Sequence, residues 1–214
     1  MTSRSCPRPP YRIVVEGIQS PEKSLILLNL AQNYQLTVHP EPKQDFWKLP
    51  GGARGAFLDD TTTSFAQSSY IAATYLARDL PKTPPGIHLY DRSLLSRHFC
   101  YQPLMVLKGL LTAGEQFILD AHFRLYTEHC PQLAPDLILY IRSDPRIRWG
   151  GSPSRLHNCL FLHERFEEWL GTTVLPVQII DTAAMDLEVL LPLVEALVLS
   201  KGLEGAQVNH PFNP

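Results

Sequence analysis

The run Arg12-Ile13-Val14-Val15-Glu16, followed by Gly17-Ile18-Gln19-Ser20-Pro21-Glu22-Lys23-Ser24 and then Leu25-Ile26-Leu27-Leu28-Asn29-Leu30, constrains the fold more than any other stretch. An apolar strand that passes through a glycine into a short polar loop, a Lys-Ser pair and an apolar helix has the layout of a phosphate-binding P-loop, G-x-x-x-x-G-K-[ST]. Such a loop wraps backbone N–H groups around phosphates, aims a lysine at their charge and sets a hydroxyl on Mg²⁺. Gly17, Lys23 and Ser24 occupy the required places, whereas Glu22 stands where the second glycine belongs. A side chain there fills space that a phosphate approaches, and a carboxylate repels the anion.

A strand–loop–helix opening needs a sheet to belong to, and the rest of the chain supplies one. Strands are expected at Ile13-Val14-Val15, Leu36-Thr37-Val38, Ile87 to Tyr90, Leu137 to Ile141 and Val177 to Ile180. Helices are expected between them, over 23–33, 62–78, 93–110, 114–129, 156–170 and 186–199. Short apolar strands alternating with longer amphipathic segments predict a five-stranded parallel sheet covered by helices, an α/β class fold. Pro- and Gly-rich breaks at 40–55, 81–86 and 149–153 punctuate the order, and none is long enough to demand a second domain. The expected organisation is a flexible leader over 1–10, one domain over 11–200 and a tail over 201–214.

Composition excludes several classes. A formal net charge of -2 with no long basic run argues against a nucleic-acid partner. Cys6, Cys100, Cys130 and Cys159 lack C-x-x-C spacing, which implies reduced thiols and neither a disulfide framework nor zinc. No apolar run approaches bilayer length, so no membrane partner is expected. A cytoplasmic setting follows, with mitochondrial targeting as the alternative that Arg4, Arg8 and the neighbouring serines leave open.

In an open parallel sheet, ligands bind at the carboxyl ends of the strands. Those ends carry the P-loop, His39-Pro40-Glu41-Pro42, Asp91-Arg92-Ser93 and Arg142-Ser143-Asp144-Pro145-Arg146-Ile147-Arg148. A lysine, two carboxylates and several arginines at successive strand ends are the inventory of a phosphoryl-transfer site. By contrast, His163, Glu164, Glu167 and Glu168 read as a solvated helix face, because H-E-x-x-H would need a histidine where Glu167 stands.

The segments Ile13 to Ser24, Glu41-Pro42, Trp47, Ala66-Gln67-Ser68, Asp91-Arg92-Ser93 and His163-Glu164-Arg165-Phe166-Glu167-Glu168-Trp169-Leu170 occur in the order of a known signature set. Through them the chain resembles the deoxynucleoside kinases, the group that includes mitochondrial thymidine kinase and the deoxycytidine and deoxyguanosine kinases. The resemblance runs from about Tyr11 to about Asp186. It implies a P-loop kinase-like three-layer α/β/α sandwich that uses ATP and Mg²⁺ to phosphorylate the 5′-hydroxyl of a nucleoside such as thymidine. Glu41 would be the general base, Arg92 would brace it and the transferring phosphate, and Lys23 would act on the phosphates with Gly17, Ser24 and the lid arginines Arg146, Arg148 and Arg155. Ser24 and Asp91 would hold Mg²⁺, while Trp47, Gln67, Arg97 and Tyr101 would line the nucleoside pocket. The resemblance also implies a homodimer through the helices between Ser93 and His129.

The departures bear on activity. Ser20 replaces another loop glycine, Pro21 removes a backbone donor, the lid is shortened to 149–155, and Arg97 stands where the family has a small or acidic residue. The alternative expectation is therefore a catalytically silent homologue acting as a binding or accessory subunit.

Overall fold

A computed structural model describes residues 10–18, 20–34, 36–42, 61–148, 153–182 and 187–208. Its centre is a five-stranded sheet with every pairing parallel: β1 (Pro10–Glu16), β2 (Thr37–His39), β3 (Gly86–Asp91), β4 (Leu137–Arg142) and β5 (Val177–Asp181), in the spatial order β2-β3-β1-β4-β5. The order reverses beside β1, so the loop after β1 opens where crossovers leave in opposite directions, the place where such sheets bind ligands.

Period-two alternation along the strands divides the core. Ile13, Val15, Leu137, Leu139 and Ile141 pack on one face against Ile26, Leu27 and Leu30 of α1 (Pro21–Tyr34) and Leu190, Val194 and Val198 of α8 (Leu187–Val208). Ile138 and Tyr140 face the other way, against Phe166, Trp169 and Leu170 of α7 (Pro153–Thr172) and Cys100 and Leu104. Helices thus cover both faces of the sheet, and each fully buried aliphatic or aromatic side chain contributes roughly 1.5–3 kcal/mol. On α7 the apolar members of the His163-to-Leu170 segment form the buried stripe, and its acids face outward or pair with arginines.

The remaining helices are α2 (Thr61–Asp79), α3 (Leu94–Ser96), α4 (Gln102–Leu107), α5 (Ala113–His129) and the single turn α6 (Pro145–Arg148). The helix expected over 93–110 is divided by a π turn at Arg97–Tyr101. Pro103 explains the break, because it has no N–H to give to the carbonyl of Phe99 four residues earlier. That carbonyl instead accepts from Arg165 Nε at 3.4 Å. Helix α5 begins on a capping box in which Thr112 and Glu115 satisfy each other's backbone donors. Most boundaries shift by one to three residues, and two cross the expected limits of the domain: β1 begins at Pro10, and α8 continues through 201–208, the start of the expected tail. Among the described residues no helix is long and apolar enough to cross a membrane.

Candidate functional site

The carboxyl ends of β1, β2 and β3 bring together Glu16, Glu41 and Asp91 with Lys23 and Arg92. Lys23, in the first turn of α1, is buried, and its Nζ donates to Asp91 Oδ1 at 2.6 Å. Arg92 Nη1 donates to Glu41 Oε1 at 3.3 Å, with both side chains largely buried. Ser93 caps α3 and gives its hydroxyl to Glu16 Oε1 at 2.6 Å. Three carboxylates and two cations thus interlock around the first loop.

Backbone geometry aims these groups. Arg92 has φ +60, a left-handed conformation that costs a non-glycine residue about 1–2 kcal/mol. It is held there from both sides: its N–H donates to Val15 O at 3.0 Å and its carbonyl accepts from Arg78 Nη2 at 2.9 Å. Arg78 also donates to the carbonyls of Asp91 and Pro40, at 3.0 and 3.3 Å, and pairs with buried Asp79 through Nε at 2.7 Å. One guanidinium therefore ties the end of β2, which leads to Glu41, to the end of β3, which leads to Arg92. Gln67 is buried on the same stripe of α2, three turns before Arg78.

Burial sets the protonation of the cluster. Desolvation pushes Glu16 up to about 7, although Ser93, Ser96, Lys23 and Arg92 pull it down. Burial, and then the charge of Arg92, lowers Lys23, which Asp91 partly restores. Burial works against the charge of Arg92, yet Tyr101, Glu41, Tyr75 and Glu16 together carry it above its ordinary value.

The structure separates the expected site residues into groups. Lys23, Glu41, Asp91 and Arg92 converge. Tyr101 lies beneath Arg92, with the guanidinium 5.0 Å from its ring centre, and meets Phe166 edge-on. Arg97 is buried and donates to Ser68 Oγ at 2.8 Å. Gly17 has φ +138, and a Cβ there would stand 2.5 Å from the carbonyl oxygen of Ile141, so the close approach of β4 alone requires glycine. Ser24, Arg146 and Arg155 are exposed, and neither arginine takes part in the carboxylate cluster. The side chain of Arg148 and the whole of Trp47 lie outside the described residues.

The loop itself is short. Helix α1 begins at Pro21, one residue before Glu22, which is buried; the N–H of Lys23 is capped by Ser20 Oγ at 3.4 Å. Sequence reasoning passed over Glu16, although an acid ending an otherwise apolar strand was a legible signal. It also passed over Arg78, whose role appears only when α2 packs across two strand ends.

Among 154 matching chains of solved structures is a deoxyadenosine kinase from M. mycoides with bound dATP, with a TM-score of 0.66 and 16% sequence identity over 88% of this chain and 99% of that one. The chain has the P-loop kinase-like α/β fold. A scan of protein-family profiles finds none that matches. At this identity the match speaks for the sheet order and the helices around it, and the chemistry rests on the side chains.

Proposed function

We propose that the chain is a nucleoside kinase-like phosphotransferase, moving a phosphoryl group from a nucleoside triphosphate to the 5′-hydroxyl of a (deoxy)nucleoside such as thymidine. The observation that carries this reading is the convergence of Glu41–Arg92 and Lys23–Asp91 on one loop at the switch point of the sheet. The donor set suits Mg²⁺, since the partly exposed Asp91 carboxylate and the exposed Ser24 hydroxyl are hard oxygen ligands within reach of solvent. Bound Mg-ATP would supply the phosphoryl group, with Asp91 and Ser24 on the metal and Lys23 on the phosphates.

The chain's own residues do the rest. Glu41 accepts the proton of the 5′-hydroxyl, a task that asks only for a carboxylate held in hydrogen-bond reach. Arg92 fixes that carboxylate, and the left-handed turn under Arg92 fixes the arginine. Gln67, buried on the stripe of α2 that faces the strand ends, offers an amide to the base. Burial makes each of these contacts worth more than in water.

A second reading, a silent homologue that binds a nucleoside or a partner chain, is favoured by the loop. Pro21 has no N–H, the N–H of Lys23 is spent on Ser20, its ammonium is spent on Asp91, and Glu22 is buried where glycine belongs. A single-turnover assay with labelled ATP and each deoxynucleoside separates the two. Labelled nucleoside monophosphate is the expected product. Calorimetric nucleoside binding without transfer would replace the first reading by the second, and neither binding nor transfer would remove the first and leave of the second only the partner-chain form.

A further inference from the structure

Lys23 and Asp91 are paired with each other, and each is also the group that the loop needs for a ligand. Lys23 is buried, and its Nζ donates to Asp91 Oδ1 at 2.6 Å. No other side chain among the described residues accepts from that ammonium. Burial and the charge of Arg92 work against the Lys23 ammonium, while Asp91 and then Glu41 support it. Glu41 is itself engaged by Arg92 at 3.3 Å, so Asp91 is the carboxylate that keeps Lys23 compensated. Asp91 is placed differently, with 17% of its side chain exposed. Its Oδ1 is given to Lys23, and its Oδ2 takes no donor among the described residues.

Two kinds of ligand draw on this one pair. If Lys23 turns to a triphosphate, Asp91 is left as a bare carboxylate beside a polyanion, in a loop that already buries Glu22. If Asp91 turns to a divalent cation alone, Lys23 is left buried near Arg92 without its counter-ion, which is the costly way to break a buried pair. When both ligands arrive, the two side chains exchange partners: Asp91 passes from ammonium to metal, and Lys23 passes from carboxylate to phosphate. No charge is then left unmatched. The backbone does little to ease the conflict, since Pro21 has no N–H and the N–H of Lys23 is on Ser20 Oγ at 3.4 Å.

We infer that the Lys23–Asp91 pair is an autoinhibitory interlock, which makes the site take a divalent cation and a nucleoside triphosphate together and resist either one alone. The inference rests on the reading of this loop as the triphosphate site of a phosphotransferase, and it concerns binding rather than transfer. Linkage makes the coupling reciprocal: the factor by which Mg²⁺ tightens the nucleotide is the factor by which the nucleotide tightens Mg²⁺.

Calorimetry on the full chain, with ATP in EDTA and with ATP in excess Mg²⁺, tests this on native protein, Asp91→Asn, Lys23→Met and the double variant. Native protein is expected to bind ATP about 100-fold more weakly in EDTA than with Mg²⁺. Asp91→Asn keeps the shape and releases Lys23, so ATP in EDTA should bind about tenfold or more tightly than to native protein. Removing a carboxylate helps an anion in any case, and the same substitution in the Lys23→Met background measures that effect alone. The gain should be about tenfold larger with Lys23 present than without it. Equal gains in the two backgrounds would reduce Asp91 to a repelling charge and overturn the interlock. Native affinities in EDTA and in Mg²⁺ within about threefold of each other would overturn it too, even if no variant folds. ATP that binds native protein under neither condition would remove the triphosphate site and the interlock together. Mg²⁺-dependent binding with the expected gains, but without transfer in the single-turnover assay, would remove the kinase reading and leave the interlock standing.

Discussion

Replacing Glu16 by glutamine asks whether the carboxyl that ends β1 is held as an acid. It is fully buried, takes Ser93 Oγ at 2.6 Å, and is pushed by burial from an ordinary 4.5 to about 7. An acid with its folded pKa raised binds more protons folded than unfolded. The stability it contributes is therefore complete below 4.5 and is lost as pH rises through about 7. At roughly 1.36 kcal/mol for each pKa step, the span from 4.5 to about 7 amounts to on the order of 3 kcal/mol. Glutamine keeps the shape and an acceptor for Ser93 but has no proton to lose. Urea unfolding of native and Glu16→Gln protein, from about pH 4 to about pH 8, yields a difference in which distant titrating groups cancel. Native stability should fall relative to the variant by on the order of 3 kcal/mol across that window. A difference constant to within about 0.5 kcal/mol would show that Glu16 keeps its ordinary pKa on folding, and that Ser93, Ser96, Lys23 and Arg92 together cancel desolvation.

Glu41→Gln should slow phosphoryl transfer by roughly 10² to 10⁴ with nucleoside affinity little changed, measured by single turnover and calorimetry; equal rates would move the base role to Asp91. Glu22→Gly should tighten Mg-ATP binding, because it removes a carboxylate from the loop; a titration showing no gain would refute the electrostatic argument. Arg78→Met should cost about 3–5 kcal/mol in urea unfolding, since it leaves buried Asp79 short of its closest cation and three strand-end carbonyls without their donor. His88 Nε2 donates to Pro84 O at 2.9 Å, so its Nδ1 accepts from His39 Nε2 at 3.1 Å only while the His88 ring is neutral. Burial lowers both pKa values, so stability should fall as pH drops below 6.5, and His39→Phe should show a smaller acid loss in thermal melts.

All five strands and the principal helices were legible because burial on a sheet face and on a helix face imposes periods of two and 3.6 on the residues themselves. The division of 93–110 was not, since a π turn depends on a partner for the Phe99 carbonyl, and Arg165 lies 66 residues away. Of the site, Lys23, Glu41, Asp91 and Arg92 were legible as a motif at strand ends. Their pairing was not, because a motif specifies which groups are present and says nothing of which neighbour each one takes.

The sequence by itself determined the parallel α/β class, the position of the loop after β1 and the acids and bases available to it, since local periodicity and the order of elements suffice for these. Only the tertiary structure decided that Lys23 answers to Asp91, that Gly17 is demanded by Ile141, that Arg78 joins two strand ends, and that Arg97 donates to Ser68. Each of these depends on contacts between segments far apart in the chain, and on how burial ranks a charge's possible partners once water is excluded.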